Sequence, residues 1–127
     1  MKTVISTAEA PTAVGPYSQA IAAGSFVFCS GQIPLEATTG TLIDSDISGQ
    51  TAQVLKNLAA VLRTQGLGME HVVKTTVFMT DLAGFGEMNA VYAKFFPSDP
   101  PARSTIQVAA LPKGANVEIE AIALKHF

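Results

Sequence analysis

The sequence has 127 residues, of which 48% are hydrophobic and 14% are charged. This composition excludes intrinsic disorder, because disordered chains have too few apolar residues to form a core and carry more charge. Eight Lys and Arg residues against ten Asp and Glu residues give a formal net charge of −2 without any basic run, so a nucleic-acid-binding protein is not expected. The length fits one domain over residues 1–127.

The scarcity of charged residues also bears on association and location. A small protein with so few charges is expected to bury part of its surface against copies of itself. No stretch approaches the roughly 18 apolar residues of a membrane span, and no apolar signal segment is present, so we expect a soluble cytoplasmic protein. The one cysteine, Cys29, fits a reducing compartment, and the two histidines, His71 and His126, are too far apart for a zinc motif.

The first half of the chain predicts short strands followed by a helix. Strand-like composition is found at residues 3–7, 25–30 and, less clearly, 32–35. The helix has a candidate N-cap at Asp46 or Ser48, apolar residues at spacings of three and four, and an end before Gly66.

The second half predicts a strand, a helix and a hairpin. Residues 71–80 are rich in β-branched residues, and Asp81 can cap a helix that stops at Pro97. Strand-like runs at residues 103–110 and 116–125, joined by a short turn, predict the hairpin. Two helices are too few for a doubly wound sheet, so the expected class is α+β, with one mixed sheet backed by both helices. The other face of that sheet must meet water, a ligand or another subunit.

The predicted hairpin would bring several polar residues together. Its turn geometry places Thr105 opposite Glu120 and Gln107 opposite Glu118. Arg103 then lies one diagonal step from Glu120 on the same face. A guanidinium held there can bind a carboxylate through two parallel hydrogen bonds. The alternative is a solvated strand end with a cross-strand ion pair worth under about 1 kcal/mol.

This polar group suits hydrolysis of an anionic substrate without a covalent enzyme intermediate. Arg103 would hold the substrate carboxylate, and Glu120 would orient and deprotonate a water molecule. Tyr17 adds a phenol to the group. Ser30 and Cys29 have no evident His or Lys partner, so neither is expected to be a nucleophile, and Cys29 is expected in the core.

Five spaced segments give the chain a wider resemblance. In their order along the chain, these segments are Gly15–Ala20, Ser30–Pro34, Val73–Phe78, Pro101–Ser104 and Val117–Ala123. Together they resemble the reactive intermediate deaminase family, RidA, also called YjgF. The similarity extends over the full chain.

The resemblance implies a fold, an assembly and an activity. The fold would be chorismate-mutase-like, and the assembly a homotrimer with a central barrel and clefts between subunits. The activity would be that of a 2-iminobutanoate/2-iminopropanoate deaminase, which hydrolyses reactive enamines and imines such as 2-aminoacrylate to 2-keto acids and ammonia. The substrate would carry a small carboxylate, and neither a cofactor nor a metal is implied.

The matching motifs also imply roles for individual residues. Arg103 would bind the substrate carboxylate, and Glu120 would position the water. Tyr17 would line the cleft from the neighbouring subunit. Ser30 and Gly31 would belong to the substrate-binding wall, with Gly31 contributing its backbone.

Two further positions complete the expected site. Asn89 would belong to the outer wall of the cleft. Thr105 stands where the best-known deaminases carry a cysteine, so a thiol is not essential here, and its hydroxyl can donate to a bound carboxylate. Two other functions stay open at this point: a sensor that binds 2-keto acids without turnover, and a ribonuclease, which the absence of a basic patch and of a histidine pair disfavours.

Overall fold

The computed structural model describes residues 1–126, which form six β-strands and two α-helices. The strands are β1 (Lys2–Ile5), β2 (Ala20–Ala23), β3 (Phe26–Gln32), β4 (Val72–Met79), β5 (Ala102–Gln107) and β6 (Val117–Leu124). The helices are α1 (Ile47–Arg63) and α2 (Phe85–Phe95). Both helices pack on one mixed sheet, so the α+β class predicted from the sequence is confirmed.

Of the polar residues predicted as helix caps, Asp46 caps α1 and Ser48 lies inside that helix. The Asp46 carboxylate accepts a hydrogen bond of 2.9 Å from the Gly49 N–H, an interaction that typically stabilises a helix by about 1 kcal/mol. Asp81 caps a short 3₁₀ turn rather than α2 itself, and its carboxylate accepts from the Ala83 N–H at 2.9 Å. α2 begins after that turn and ends at Phe95, before Pro97. Its start is therefore displaced from the prediction by one 3₁₀ turn.

The sheet has the strand order β1-β2-β3-β6-β4-β5, and only the β4–β5 pair is parallel. Strand β2 was not predicted from the sequence, because its residues are mostly alanines, which have weak strand propensity. The third strand expected at residues 32–35 is absent. Instead, β3 extends to Gln32, and Leu35 makes an isolated bridge with Leu42.

The predicted hairpin between the last two strands is wrong, because β4 lies between β5 and β6. Burial explains this order. Alternate residues of β6, from Val117 to Ala123, are almost fully buried, which requires a central position in the sheet. No residue of β5 is buried, which suits an edge strand. The predicted pairings of Thr105 with Glu120 and of Gln107 with Glu118 therefore do not form.

The helices cover one face of the sheet and leave the other uncovered in the chain. We call the uncovered side the open face. Phe26 and Phe28 lie on it, 42% and 45% exposed, and their rings are 6.1 Å apart. Each pairs with an apolar residue of β6, Phe26 with Leu124 and Phe28 with Ile122. This apolar strip on the open face is the kind of surface that a second subunit covers.

The apolar residues of β4 are not all buried. Val77 and Met79 are fully buried, but Val73 is 37% exposed. A register shift between Val72 and Lys74 turns Val73 away from the core.

Among residues 1–126, neither helix combines the length and the hydropathy that crossing a membrane requires.

Candidate active site

The site residues predicted from the sequence lie in two separate places in the chain. Arg103, Thr105 and Asn89 form one group with two further residues, Phe85 and Tyr92, and we call this group the arginine cluster. The other group, the carboxylate pocket, is a cavity of about 580 Å³ whose walls include Tyr17, Ser30, Gly31, Lys113, Glu118 and Glu120.

The arginine cluster holds the guanidinium in one orientation. Arg103 Nη1 donates a hydrogen bond of 2.7 Å to Asn89 Oδ1. Its Cζ lies 5.4 Å from the ring centroid of Phe85 and 4.9 Å from that of Tyr92, both within cation–π range. The other guanidinium N–H groups have no acceptor among residues 1–126. They remain able to bind a carboxylate in the two-bond geometry that arginine favours.

Tyr92 is itself fixed by a buried hydrogen bond. Its hydroxyl lies 2.7 Å from Thr75 Oγ1, and its ring packs on Phe96 at a centroid distance of 4.6 Å. Burial raises the pKa of Tyr92, although the hydrogen bond with Thr75 and the charge of Arg103 act in the opposite direction. The phenol therefore stays neutral beside the guanidinium, and its ring presents a fixed surface to it.

Thr105 lies two residues beyond Arg103 on the same side of β5, facing the helices. Its Oγ1 is buried and has no hydrogen-bond partner among residues 1–126. An unpaired buried hydroxyl normally costs free energy, so such a group is a candidate for ligand binding.

Arg103 and Glu120 lie on opposite faces of the sheet, so the predicted common face is wrong within one chain. Arg103 pairs with Thr75, which is buried under the helices. Glu120 pairs with Thr76, the next residue of β4, and therefore projects from the open face. The interposed strand β4 causes this difference, since the predicted diagonal contact required β5 and β6 to be neighbours.

The rim of the carboxylate pocket is held by hydrogen bonds to the backbone. The buried Gln19 side chain donates from Nε2 to the Ala10 and Pro11 carbonyls and accepts from the Thr7 N–H at 2.7 Å. Ser30 Oγ donates to the Ser18 carbonyl at 2.6 Å. The Ser30 hydroxyl thus fixes the loop beside the pocket, while the residue still forms part of the wall.

Tyr17 lies at the mouth of the same pocket. Its hydroxyl accepts a hydrogen bond of 3.3 Å from the Val14 N–H, and 53% of the residue is exposed. The phenol is therefore accessible both to a ligand in the pocket and to a neighbouring molecule.

Two carboxyl groups give the pocket its electrostatic character. Glu118 and Glu120 both project from the open face of β6 into the pocket. Burial, and then the charge of Glu120, raise the pKa of Glu118. The one lysine on the walls, Lys113, donates from Nζ to the Gly40 carbonyl at 3.3 Å. With two acids against one occupied lysine, the pocket does not favour an anion without a further cation.

Sequence reasoning missed the aromatic part of the arginine cluster. Phe85, Asn89 and Tyr92 follow one another at spacings of four and three, so they share one side of α2. The spacing of the aromatic residues by itself indicates no more than a helix. The placement of Asn89 between them was the available signal that this side faces a polar group.

Cys29 is part of the core, as predicted. It is 6% exposed, and burial raises the pKa of its thiol to about 12. At pH 8 the thiol is therefore almost entirely protonated. We expect no reaction of the native protein with a thiol-specific reagent at pH 8, and full reaction after denaturation. Rapid labelling of the native protein would contradict the burial of this thiol.

Comparison with known proteins assigns the chain to a family. The family model described as Endoribonuclease L-PSP matches residues 7–125. The chain belongs to the RidA-type family. This result confirms the resemblance seen in the sequence motifs.

Individual relatives of this RidA-type chain carry deaminase names. It is 52% identical to Reactive Intermediate Deaminase A, chloroplastic, of Arabidopsis thaliana, over 96% of the chain and 65% of the relative. It is 43% identical to the 2-iminobutanoate/2-iminopropanoate deaminase of Homo sapiens, over 98% of the chain and 91% of the relative. The crystal structure of E. coli TdcF with bound serine matches with a TM-score of 0.92 and 44% identity, covering 96% of the chain and 98% of that structure.

Proposed function

We propose that this protein is a hydrolytic deaminase of reactive enamines and imines such as 2-aminoacrylate, and that it releases 2-keto acids and ammonia. In enzyme terms, it would be a 2-iminobutanoate/2-iminopropanoate deaminase. The names of its relatives support imine deamination in general. The observation that carries the specific proposal is the unsatisfied guanidinium of Arg103, held rigidly by Asn89, Phe85 and Tyr92.

The proposed active unit is a homotrimer with a central barrel, in which the open faces meet. The apolar strip on the open face supports such an association; it consists of the exposed Phe26 and Phe28 with the half-buried Ile122 and Leu124. The placement of the two site groups supports it too, because Arg103 and Glu120 cannot reach one small molecule from opposite faces of one sheet. A cleft between subunits would combine the arginine cluster of one chain with the carboxylate pocket of the next.

Each residue would then have a defined task. Arg103 would bind the substrate carboxylate through its free N–H groups, and Thr105 would donate its unpaired hydroxyl to the same group. Across the cleft, Glu120 would orient a water molecule toward the electrophilic imine carbon and accept its proton.

The remaining wall residues would shape the cleft. Tyr17 would close it from the neighbouring subunit, and Gly31 would let the backbone approach the substrate. Ser30 would act indirectly, through its hydrogen bond to the loop that carries Tyr17. An imine carbon is already electrophilic, so orientation and one placed water supply most of what the reaction needs.

Turnover can be tested with an unstable substrate that a second enzyme generates in the assay mixture. A pyridoxal-phosphate-dependent dehydratase acting on serine generates 2-aminoacrylate, and formation of 2-keto acid is followed with and without the purified protein. We expect faster formation in its presence. An unchanged rate, together with binding of pyruvate, would favour the alternative of a small-carboxylate sensor, which the serine bound to TdcF also makes worth testing.

The assembly can be tested independently by light scattering after size exclusion. Three chains of 13.2 kDa give an expected mass of about 40 kDa. A mass of one chain at working concentration would contradict the proposed cleft.

A ribonuclease function is suggested by the family description alone. The carboxylate pocket has two acids and one occupied lysine, and the chain has a net charge of −2, which disfavours binding of a polyanion. If RNA cleavage were observed, its survival in a stringently repurified Arg103→Ala variant would identify a contaminant.

A further inference from the structure

Strand β4, all of which lies within residues 1–126, has one fully buried polar side chain, that of Thr75. The other buried residues of this strand are Val72, Val77 and Met79. Valine has the same branched shape as threonine and would fill this place in the core without taking a hydroxyl out of water, which costs free energy. The hydroxyl of Thr75 therefore calls for a reason other than packing.

The Thr75 hydroxyl is bonded to the hydroxyl of Tyr92. The two oxygens are 2.7 Å apart, and Tyr92 is 6% exposed. Within residues 1–126, neither oxygen has a second hydrogen-bond partner. The bond mainly offsets the cost of burying the two hydroxyls, because two apolar groups of the same shape can be nearly as stable. Stability alone therefore does not explain the pair.

Thr75 and Arg103 are neighbours in the sheet. They pair in the parallel register of β4 and β5, on strands about 4.8 Å apart, and both side chains face the helices. The side chain of Tyr92 reaches both, because its hydroxyl is bonded to Thr75 and its ring centroid is 4.9 Å from Arg103 Cζ. The bond thus fixes the ring to the sheet at the strand position beside the arginine.

The orientation of the Arg103 guanidinium depends on the position of α2. The residues that hold it, Asn89, Phe85 and Tyr92, all belong to this helix. Among residues 1–126, the Thr75–Tyr92 bond is the one hydrogen bond, apart from that of Arg103 itself, between a side chain of α2 and the sheet. A shift of α2 along the sheet would move the acceptor and both rings together. The Thr75–Tyr92 bond opposes that shift.

We propose that Thr75 and Tyr92 are positioning residues for binding of the substrate carboxylate. This inference rests on the proposed deaminase function. Their bonded hydroxyls hold α2 and the Tyr92 ring in the place that keeps the Arg103 guanidinium oriented for two hydrogen bonds to the carboxylate. Neither hydroxyl touches the substrate, because both are buried and bonded to each other. Substrate binding is then sensitive to a bond inside the core.

Three variants test this role: Thr75→Val, Tyr92→Phe and the two combined. Each single variant leaves the other hydroxyl buried without a partner, so its Tm should fall. The combined variant has no unpaired hydroxyl and should regain most of the parent Tm. Its KM should nevertheless stay raised about tenfold, with kcat changed less than about twofold, because the carboxylate anchor acts equally on substrate and transition state.

Calorimetric titration with pyruvate measures the anchor without turnover, and Kd should rise by the same factor of about ten. Thr51→Val is the matched control. Thr51 is also fully buried, but it lies outside the arginine cluster, and its Oγ1 donates to the Ile47 carbonyl at 2.7 Å. This variant should have a lower Tm and the KM and Kd of the parent.

A double-mutant cycle with Arg103→Lys tests whether the pair acts through the guanidinium. Lysine lacks the planar fork that the pair orients. Adding Thr75→Val and Tyr92→Phe to Arg103→Lys should therefore change the Kd for pyruvate by less than about twofold. A further tenfold loss in this background, on the order of that in the parent, would show that the hydroxyls act by another route and would overturn the proposal.

The outcomes separate this inference from the function on which it rests. If the parent turns over substrate and the combined variant has the KM and Kd of the parent, the positioning role is wrong and the deaminase function stands. If the parent binds pyruvate without turnover, the deaminase function is wrong, and the Kd values still decide the positioning role. If the parent does neither, both are wrong. Should a single variant fail to fold, the combined variant decides.

Discussion

Replacing Arg103 with Ala is expected to abolish deaminase activity while leaving the fold and the association of subunits intact. The substrate would lose two charge-assisted hydrogen bonds of about 1.5–3 kcal/mol each, so kcat/KM should fall by at least about 100-fold. The structural cost is smaller. Arg103 lies on an edge strand and contributes one hydrogen bond and two cation–π contacts. Its removal should therefore lower the free energy of unfolding by about 1 kcal/mol.

The only other arginine provides a matched control. Arg63 lies on the exposed side of α1, paired with Glu9 at 3.6 Å, and Arg63→Ala should retain full activity. Arg103→Lys keeps the charge but loses the planar two-bond geometry, and we expect intermediate activity. The measurements are steady-state kinetics in the coupled assay and the mass in solution. Full activity in Arg103→Ala would refute its role as the carboxylate anchor.

Glu120→Gln is expected to slow turnover far more than it weakens binding. The amide can still hold a water molecule but cannot take its proton, so kcat should fall about 100-fold while the affinity for pyruvate changes little. Removing the charge of Glu120 also removes one cause of the raised pKa of Glu118.

These expectations are measured by kcat and KM across pH and by calorimetric titration with pyruvate. Glu36 is exposed and lies outside the carboxylate pocket, so Glu36→Gln serves as a control for the loss of one surface charge. Equal losses in kcat and in pyruvate binding would contradict the water-positioning role, because they would indicate that Glu120 contributes to binding alone.

Local features of the sequence predicted most of the fold correctly. Asp46 and the spacing of apolar residues located α1, and the β-branched run located β4, because capping and periodicity act over a few residues. The order of the strands depends on contacts between distant residues. No feature of the sequence near Pro112 indicates that β4 lies between β5 and β6 in the sheet. The hairpin prediction failed for this reason.

The candidate site shows the same division between local and distant information. Residue type and motif selected Arg103, which lies in the arginine cluster, and Glu120, which lies on the wall of the carboxylate pocket. Their predicted position on a common face depended on the wrong strand pairing. In the structure, the two side chains of one chain lie on opposite faces of the sheet. The aromatic support from Tyr92 was missed, because a helical spacing of aromatic residues is found in packed cores as well.

The division of the site between two faces of the sheet has a genetic consequence. If each cleft takes its arginine from one chain and its glutamate from another, two variants that are inactive alone can form active clefts together. Co-expressing the Arg103→Ala chain with the Glu120→Gln chain at equal levels would yield mixed oligomers in which roughly a quarter of the clefts carry both native side chains. Activity of these mixed oligomers would be a property of the assembly, because each variant alone is inactive.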